Sequence, residues 1–171
     1  MNEQTRKSFF SSEDQRWATP PNLFNRFNEV FDFKLDPCAV KSTAKCDIFY
    51  TKEENGLVQS WSLVGNAFVN PPFSRELPKW IKKSYDESQK GIVVGMLIPA
   101  RPDTIAWHNY CLQHAAILFI KGRITFLDQS DKPIKRLTPA FFPSALVVFG
   151  RLEEYDLQKL GDLGIWMKRN A

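Results

Sequence analysis

The chain has 171 residues, a net charge of +4 and 43% apolar residues, enough for one domain with a buried core and short for two. No apolar run approaches the ~20 residues that span a bilayer. The polar stretch Met1 to Ser12 lacks the apolar core of an export signal, so membrane and secreted classes are set aside and a cytoplasmic location is expected.

Residues 1–12 are expected to form a mobile arm, with Phe9 and Phe10 as anchors. Thr19-Pro20-Pro21 predicts a helix start, because threonine suits an N-cap and proline the first turn. Leu23, Phe24, Phe27 and Val30 recur behind it at helical spacing. Phe33-Lys34-Leu35 reads as a strand ending at Asp36-Pro37. Asp47 to Thr51 reads as a second strand, and Asn66 to Val69 as a third that Asn70-Pro71-Pro72 stops abruptly. Leu77, Trp80, Ile81, Ser84 and Tyr85 then space themselves as a helix with an exposed lysine face, ended by Gly91. Ile92 to Ile98 is a continuous apolar run of the kind buried on both sides of a sheet. Pro102 to His114 predicts a further helix, Ala116 to Ile120 a strand, and Lys121-Gly122-Arg123 a turn into Ile124 to Leu127. After a polar loop, Ser144 to Phe149 reads as an antiparallel partner. Strands alternating with helices predict one α/β domain, mostly parallel with a C-terminal antiparallel hairpin, whose ligands sit at the strand ends.

Three cysteines, Cys38, Cys46 and Cys111, lack CxxC spacing, and the only histidines are His108 and His114. Neither a disulfide framework nor a metal centre is predicted. The basic residues form two groups, Lys79, Lys82, Lys83 and Lys90, then Lys121, Arg123, Lys132, Lys135 and Arg136. Such groups permit a polyanionic partner without demanding one, and they serve equally as solvated faces.

The sharpest feature is Asn70-Pro71-Pro72-Phe73, directly after an apolar strand. Prolines also terminate strands for purely structural reasons. The chemical reading is more specific. A planar NH2 on an sp2 carbon is a poor nucleophile, because its lone pair is delocalised. The carboxamide oxygen of Asn70 can accept one of its hydrogens and the Pro71 carbonyl the other, favouring a pyramidal nitrogen with a free lone pair. The diproline, lacking N–H and with φ fixed, holds those acceptors rigidly. Phe73 would stack on the substrate ring, and no strong base is needed, since catalysis comes from positioning and electrostatics. Leu35-Asp36-Pro37-Cys38-Ala39 closes another strand where a nucleotide-like ligand is expected. There Asp36 is a candidate for an ammonium group, while the small Cys38 and Ala39 allow close approach. An Asp-Pro turn is also commonly just a turn, and no glycine-rich loop accompanies this one.

The order Trp17-x-Thr19-Pro20, Leu35-Asp36-Pro37-x-Ala39, Asn55-Gly56-Leu57 with Trp61, and Asn70-Pro71-Pro72-Phe73 resembles the small phage-type DNA N6-adenine methyltransferases of the Dam group. Lys121-Gly122-Arg123 with Phe126, and Pro143 to Phe149, fit the same pattern. The resemblance implies a Rossmann-like class I S-adenosylmethionine-dependent methyltransferase fold, with S-adenosylmethionine as methyl donor and double-stranded DNA as partner. It implies Asn70, Pro71, Pro72 and Phe73 at a flipped adenine, and Asp36, Pro37, Cys38 and Ala39 at the donor, with Trp17, Thr19 and Pro20 closing over it. Asn55, Gly56 and Leu57 are implied near the donor's adenine, with Glu53 or Glu54 near its ribose. DNA contacts are expected from Arg75, Lys79 and Arg123, and from Lys132, Lys135 and Arg136 in the loop 128–143; no large target-recognition insert is present. Phe73 stands where tyrosine is commoner, which preserves stacking. Methylation of another planar amine or amide, in RNA or at a protein glutamine, and a non-catalytic DNA-binding module remain alternatives.

Overall fold

The computed structural model describes residues 17–128 and 139–168. The expected arm, and the predicted DNA contacts Lys132, Lys135 and Arg136, lie outside the described residues. After a two-residue strand β1 (Trp17–Ala18), helix α1 (Pro21–Phe31) leads to β2 (Leu35–Asp36), β3 (Ile48–Phe49) and β4 (Ala67–Val69). Helix α2 (Leu77–Ser88) precedes β5 (Val94–Pro99), and helix 105–114, a π-helix over Trp107–Cys111 that ends as α3 (Leu112–His114), precedes β6 (Ala115–Ile120). β7 (Leu127–Asp128), β8 (Ser144–Phe149), α4 (Glu154–Lys159) and β9 (Gly164–Met167) complete the chain.

Helix α1 begins with Pro21 at its first turn, as its fixed φ favours. Thr19 is not its cap: Pro20 occupies that position with extended ψ of 135° and no side-chain cap bond, so the expected threonine cap is corrected. The Thr19 hydroxyl is instead buried without a hydrogen-bond partner among the described residues. Asp32 ends the helix in the left-handed region at φ 49°, its N–H donating to the Asn28 carbonyl.

Among the described residues, seven strands form one sheet in the order β3-β2-β4-β5-β8-β6-β9. The pairs β2–β3, β2–β4 and β4–β5 are parallel. The expected C-terminal antiparallel strands are present, with a specific placement: β8 enters between β5 and β6, antiparallel to both, and β9 pairs antiparallel with β6. The segment expected to lead up to β8, 124–127, leaves this sheet, and Leu127–Asp128 pairs with Trp17–Ala18 as a separate ribbon. Burial accounts for the choice, since all six residues of β8 are buried and need a strand on each side to satisfy their backbone groups.

Helices cover both faces. Trp80 and Ile81 of α2, with Ala106, Trp107 and Cys111, pack on one side against Val94, Met96, Val147 and Phe149. Phe24, Phe27 and Phe31 of α1, with Phe126 and Leu160, pack on the other against Phe68, Leu97, Leu146 and Val148. Gly95 belongs to this packing, because a Cβ there would lie 2.6 Å from Phe33 Cζ. The chain runs outward from β2 to β3, then returns across β2 to β4. The crevice at the carboxyl ends of β2 and β4 is therefore a topological switch point, where open α/β sheets bind ligands.

Candidate active site

Asp36 ends β2 and Asn70 follows β4, so the parallel pairing of Leu35 with Ala67 brings both motifs to the same edge of the sheet. Asn70 is half-buried, Pro71 buried, Pro72 exposed and Phe73 half-buried. The Asn70 Nδ2 donates to the Trp17 carbonyl at 2.6 Å. That bond fixes which end of the amide is which, and it leaves Oδ1 buried with no donor among the described residues. The Asn70 backbone N–H lies close enough to the Cys38 thiol to work against the rise of its pKa, so the two motifs meet.

Two spaces flank the Asn70–Phe73 turn. The smaller, about 10 Å³, lies among Ala18, Thr19, Asp36, Cys38, Thr43 and Asn70, with Ala39 and Lys45 completing its wall. It thus gathers four of the residues expected at a donor, Thr19, Asp36, Cys38 and Ala39. Asp36 is buried, its Oδ1 accepting the Cys38 N–H at 3.4 Å and its Oδ2 the Lys45 N–H at 3.0 Å. Burial pushes its carboxyl up to about 6, against the pull of those two N–H groups and the Lys45 charge. Burial lowers Lys45, opposed by Asp36. The Cys38 thiol is raised well above its ordinary value by burial and the Asp36 charge.

The larger space is a cleft of about 670 Å³ on the Phe73 side of the turn, with Trp17, Ile81, Pro99, Trp107 and Phe142 among its walls and Arg75, Arg101 and Phe141 exposed around it. Its aromatic wall is preassembled: the Phe73 ring lies 5.4 Å from Phe142 and 6.5 Å from Trp17, and Trp17 lies 5.3 Å edge-on to Phe126. Trp107 opens the π-helix, a distortion that recurs at functional sites.

The segment 51–64, expected near the donor, packs beside the Asp36–Ala39 turn. Gly56 is buried against the Asp36–Ala39 turn, where a Cβ would lie 1.9 Å from the Pro37 carbonyl oxygen. Trp61 Nε1 donates to the Gly56 carbonyl at 2.8 Å, and Asn55, at φ 52°, accepts the Leu57 N–H on its side chain. Glu54 accepts the Thr51 N–H, and the exposed Glu53 is held below the usual carboxylate range by its own backbone N–H and the Thr51 hydroxyl. Glu53, Asn55, Gly56, Leu57 and Pro37 line neither space; of the segment's residues, Gly56 packs directly on Pro37.

The basic residues divide similarly. Arg75 borders the aromatic cleft, while Lys79 is exposed and ion-paired with Glu76 at 3.0 Å. Arg123 and Pro20 line a separate cleft of about 580 Å³ with Lys121 and Asp162. Thr43, Lys45, Trp107, Phe141 and Phe142 belong to the two spaces although no local pattern marked them. For Lys45 the signal is absent, because a loop through the 3-10 turn Lys41–Thr43 carries it back to Asp36. The adjacent pair Phe141-Phe142, closing a polar loop, was the one legible hint.

An α/β sheet of this order, carrying Asn-Pro-Pro-Phe at the carboxyl end of a central strand beside a switch-point pocket, defines a Rossmann-like methyltransferase. Comparison with known proteins narrows the class. The family described as "DNA N-6-adenine-methyltransferase (Dam)" matches residues 6–157, and the chain belongs to that family. A DNA N-6-adenine-methyltransferase of Haemophilus phage HP1 is 30% identical over 142 residues, 75% of this chain and 80% of the relative. One of Escherichia phage T1 is 30% identical over 111 residues, 64% of this chain, which spans about half (46%) of that relative. The putative methyltransferase YfdM of Escherichia coli K12 is 42% identical over 64 residues, 34% of this chain and 70% of the relative.

Proposed function

We propose that the chain transfers a methyl group from S-adenosylmethionine to the N6 amine of adenine in DNA, with the base out of the duplex when it reacts. The Asn70 carboxamide carries this reading. Its NH2 is committed to Trp17, so its oxygen is a buried acceptor awaiting a donor, between an aromatic cleft and a carboxylate-bearing pocket. An unsatisfied buried acceptor costs about 1–3 kcal/mol, and an incoming N6–H removes that penalty. With the second N6–H on the Pro71 carbonyl, the amine nitrogen pyramidalises and its lone pair becomes available for in-line attack. Phe73 and its aromatic neighbours supply stacking, worth about 1–3 kcal/mol per base. As the N–C bond forms, the S–CH3 bond of the sulfonium breaks to leave a neutral thioether, and the amine proton, acidic only then, passes to water, so the site works by positioning and electrostatics rather than by a strong base.

S-adenosylmethionine supplies the electrophilic methyl group, carried on a sulfonium. The residues of the smaller space suit it: Asp36 for its ammonium group, the unpartnered Thr19 hydroxyl for its amino-acid end, and Cys38 and Ala39 for close approach. Only about 10 Å³ is open between them, less than the donor fills, so on this proposal the walls of that space part when the donor enters.

The test is transfer of labelled methyl from S-adenosylmethionine to unmethylated DNA, RNA or protein extract, followed by digestion and identification of the modified unit. N6-methyladenine in DNA is expected, with kcat reduced about 10²–10³-fold in Asn70→Ala and donor affinity retained. Donor binding without transfer to DNA would overturn the proposal, and label in RNA or glutamine would redirect it.

A further inference from the structure

The cleft beside Phe73 has apolar walls but a cationic rim, and the rim is built differently from the rest of the basic surface. On and just beyond α2 the lysines are ion-paired: Lys79 with Glu76, Lys82 with Asp86, and Lys83 and Lys90 sharing Glu87. Arg75 and Arg101 border the cleft from separate elements, the turn before α2 and the turn after β5, and both are exposed. Neither guanidinium has an ion-pair or hydrogen-bond partner among the described residues.

Their backbones are nonetheless pinned. Ser74 Oγ accepts the Glu76 N–H at 3.2 Å and the Ser74 carbonyl accepts the Leu77 N–H at 3.1 Å, closing the turn that carries Arg75. The Arg101 carbonyl accepts both the N–H and the hydroxyl of Thr104, at 3.1 and 3.0 Å. Two unneutralised guanidiniums thus stand on fixed turns around an aromatic cleft large enough for a nucleotide. Guanidinium groups bind phosphate bidentately, and an aromatic wall binds a base face.

We propose that Arg75 and Arg101 each hold one of the two phosphates flanking the nucleotide whose base enters the Phe73 cleft, anchoring the backbone while the base leaves the stack. This rests on the proposed reading of the site as a DNA adenine site, and it assigns Arg101 a DNA contact alongside Arg75. The contacts are to backbone, so they position the nucleotide without reading sequence.

The experiment begins with wild-type protein on unmethylated DNA, to locate a methylated adenine. Duplexes containing that site are then made with an uncharged methylphosphonate at the phosphate on either side of the target. Arg75→Gln and Arg101→Gln should each weaken duplex affinity about tenfold and reduce the slope of log K against log salt by about one. Donor affinity should be unchanged, as should duplex affinity in Lys159→Gln on α4. Each arginine variant should lose nothing further on the duplex whose neutralised phosphate is its own, yet lose its full share on the other. Additive losses on both methylphosphonate duplexes, or unaltered salt slopes, would overturn the assignment while leaving the methyltransferase reading intact. A wild-type protein that methylates no DNA would overturn both.

Discussion

The Asn70 side chain is oriented by one bond to a main-chain carbonyl fifty-three residues earlier, so the acceptor proposed for the amine depends on β1 being in place. Asp36 is governed by burial instead. Its raised carboxyl means that the protonated form favours the fold below about 3.8, a contribution lost as pH rises through about 6. The ionised form that an ammonium group needs appears over the same window. Donor affinity measured by calorimetry is therefore expected to be about tenfold tighter at pH 7 than at pH 5. Asp36→Asn should weaken binding and flatten that profile; a slope retained in the variant would remove Asp36 from the donor site. Gly56 works by absence of a side chain. Gly56→Ala sets a methyl group against the Pro37 carbonyl at a distance no packing tolerates. A loss of about 1–3 kcal/mol and weaker donor binding should follow, read by thermal melting and calorimetry on one sample.

At the scale of elements, the segment carrying Trp61 and Ser62 is tied to α2 by one buried carboxylate. Glu87 accepts the Trp61 and Ser62 N–H groups at 3.0 and 3.1 Å and the Lys83 and Lys90 ammonium groups at 2.6 and 2.7 Å. Desolvation works against its charge, but those four donors prevail and bring its carboxyl down to about 2. Its contribution is present above the ordinary value of about 4.5 and is lost as pH falls toward 2. Glu87→Ala is expected to cost about 3 kcal/mol at pH 7. In urea melts the gap from wild type should narrow at pH 3, and a gap independent of pH would count against the ionic clamp. Helical spacing shows only its lysine partners; the two N–H groups it also accepts lie 25 and 26 residues away in a loop, beyond any period in the sequence. The helices themselves were legible, since Phe24 and Phe27 of α1 and Trp80 and Ile81 of α2 recur at helical spacing and are buried on one side.

At the scale of the whole molecule, β8 holds the sheet together. Leu146 is fully buried, opposite Leu97 on one side and Leu118 on the other, so Leu146→Ala should cost about 2–5 kcal/mol. Ile165, on the edge strand β9, is 77% exposed, and Ile165→Thr should shift stability by under about 0.5 kcal/mol. Equal effects in denaturant melts would contradict this division between centre and edge. Two things followed from the sequence alone: an α/β chain with strands where the apolar runs lie, and Asn-Pro-Pro-Phe at a strand end. Both are local, since apolar runs set burial and diproline stops a strand wherever it occurs. Tertiary structure decided the rest: β8 between β5 and β6, Lys45 and Thr43 beside Asp36, Gly56 against Pro37, and Arg101 on the same cleft as Arg75. Those arrangements join residues distant in the chain. Their energies come from strand pairing, close packing and shared burial, which exist only once the sheet has assembled.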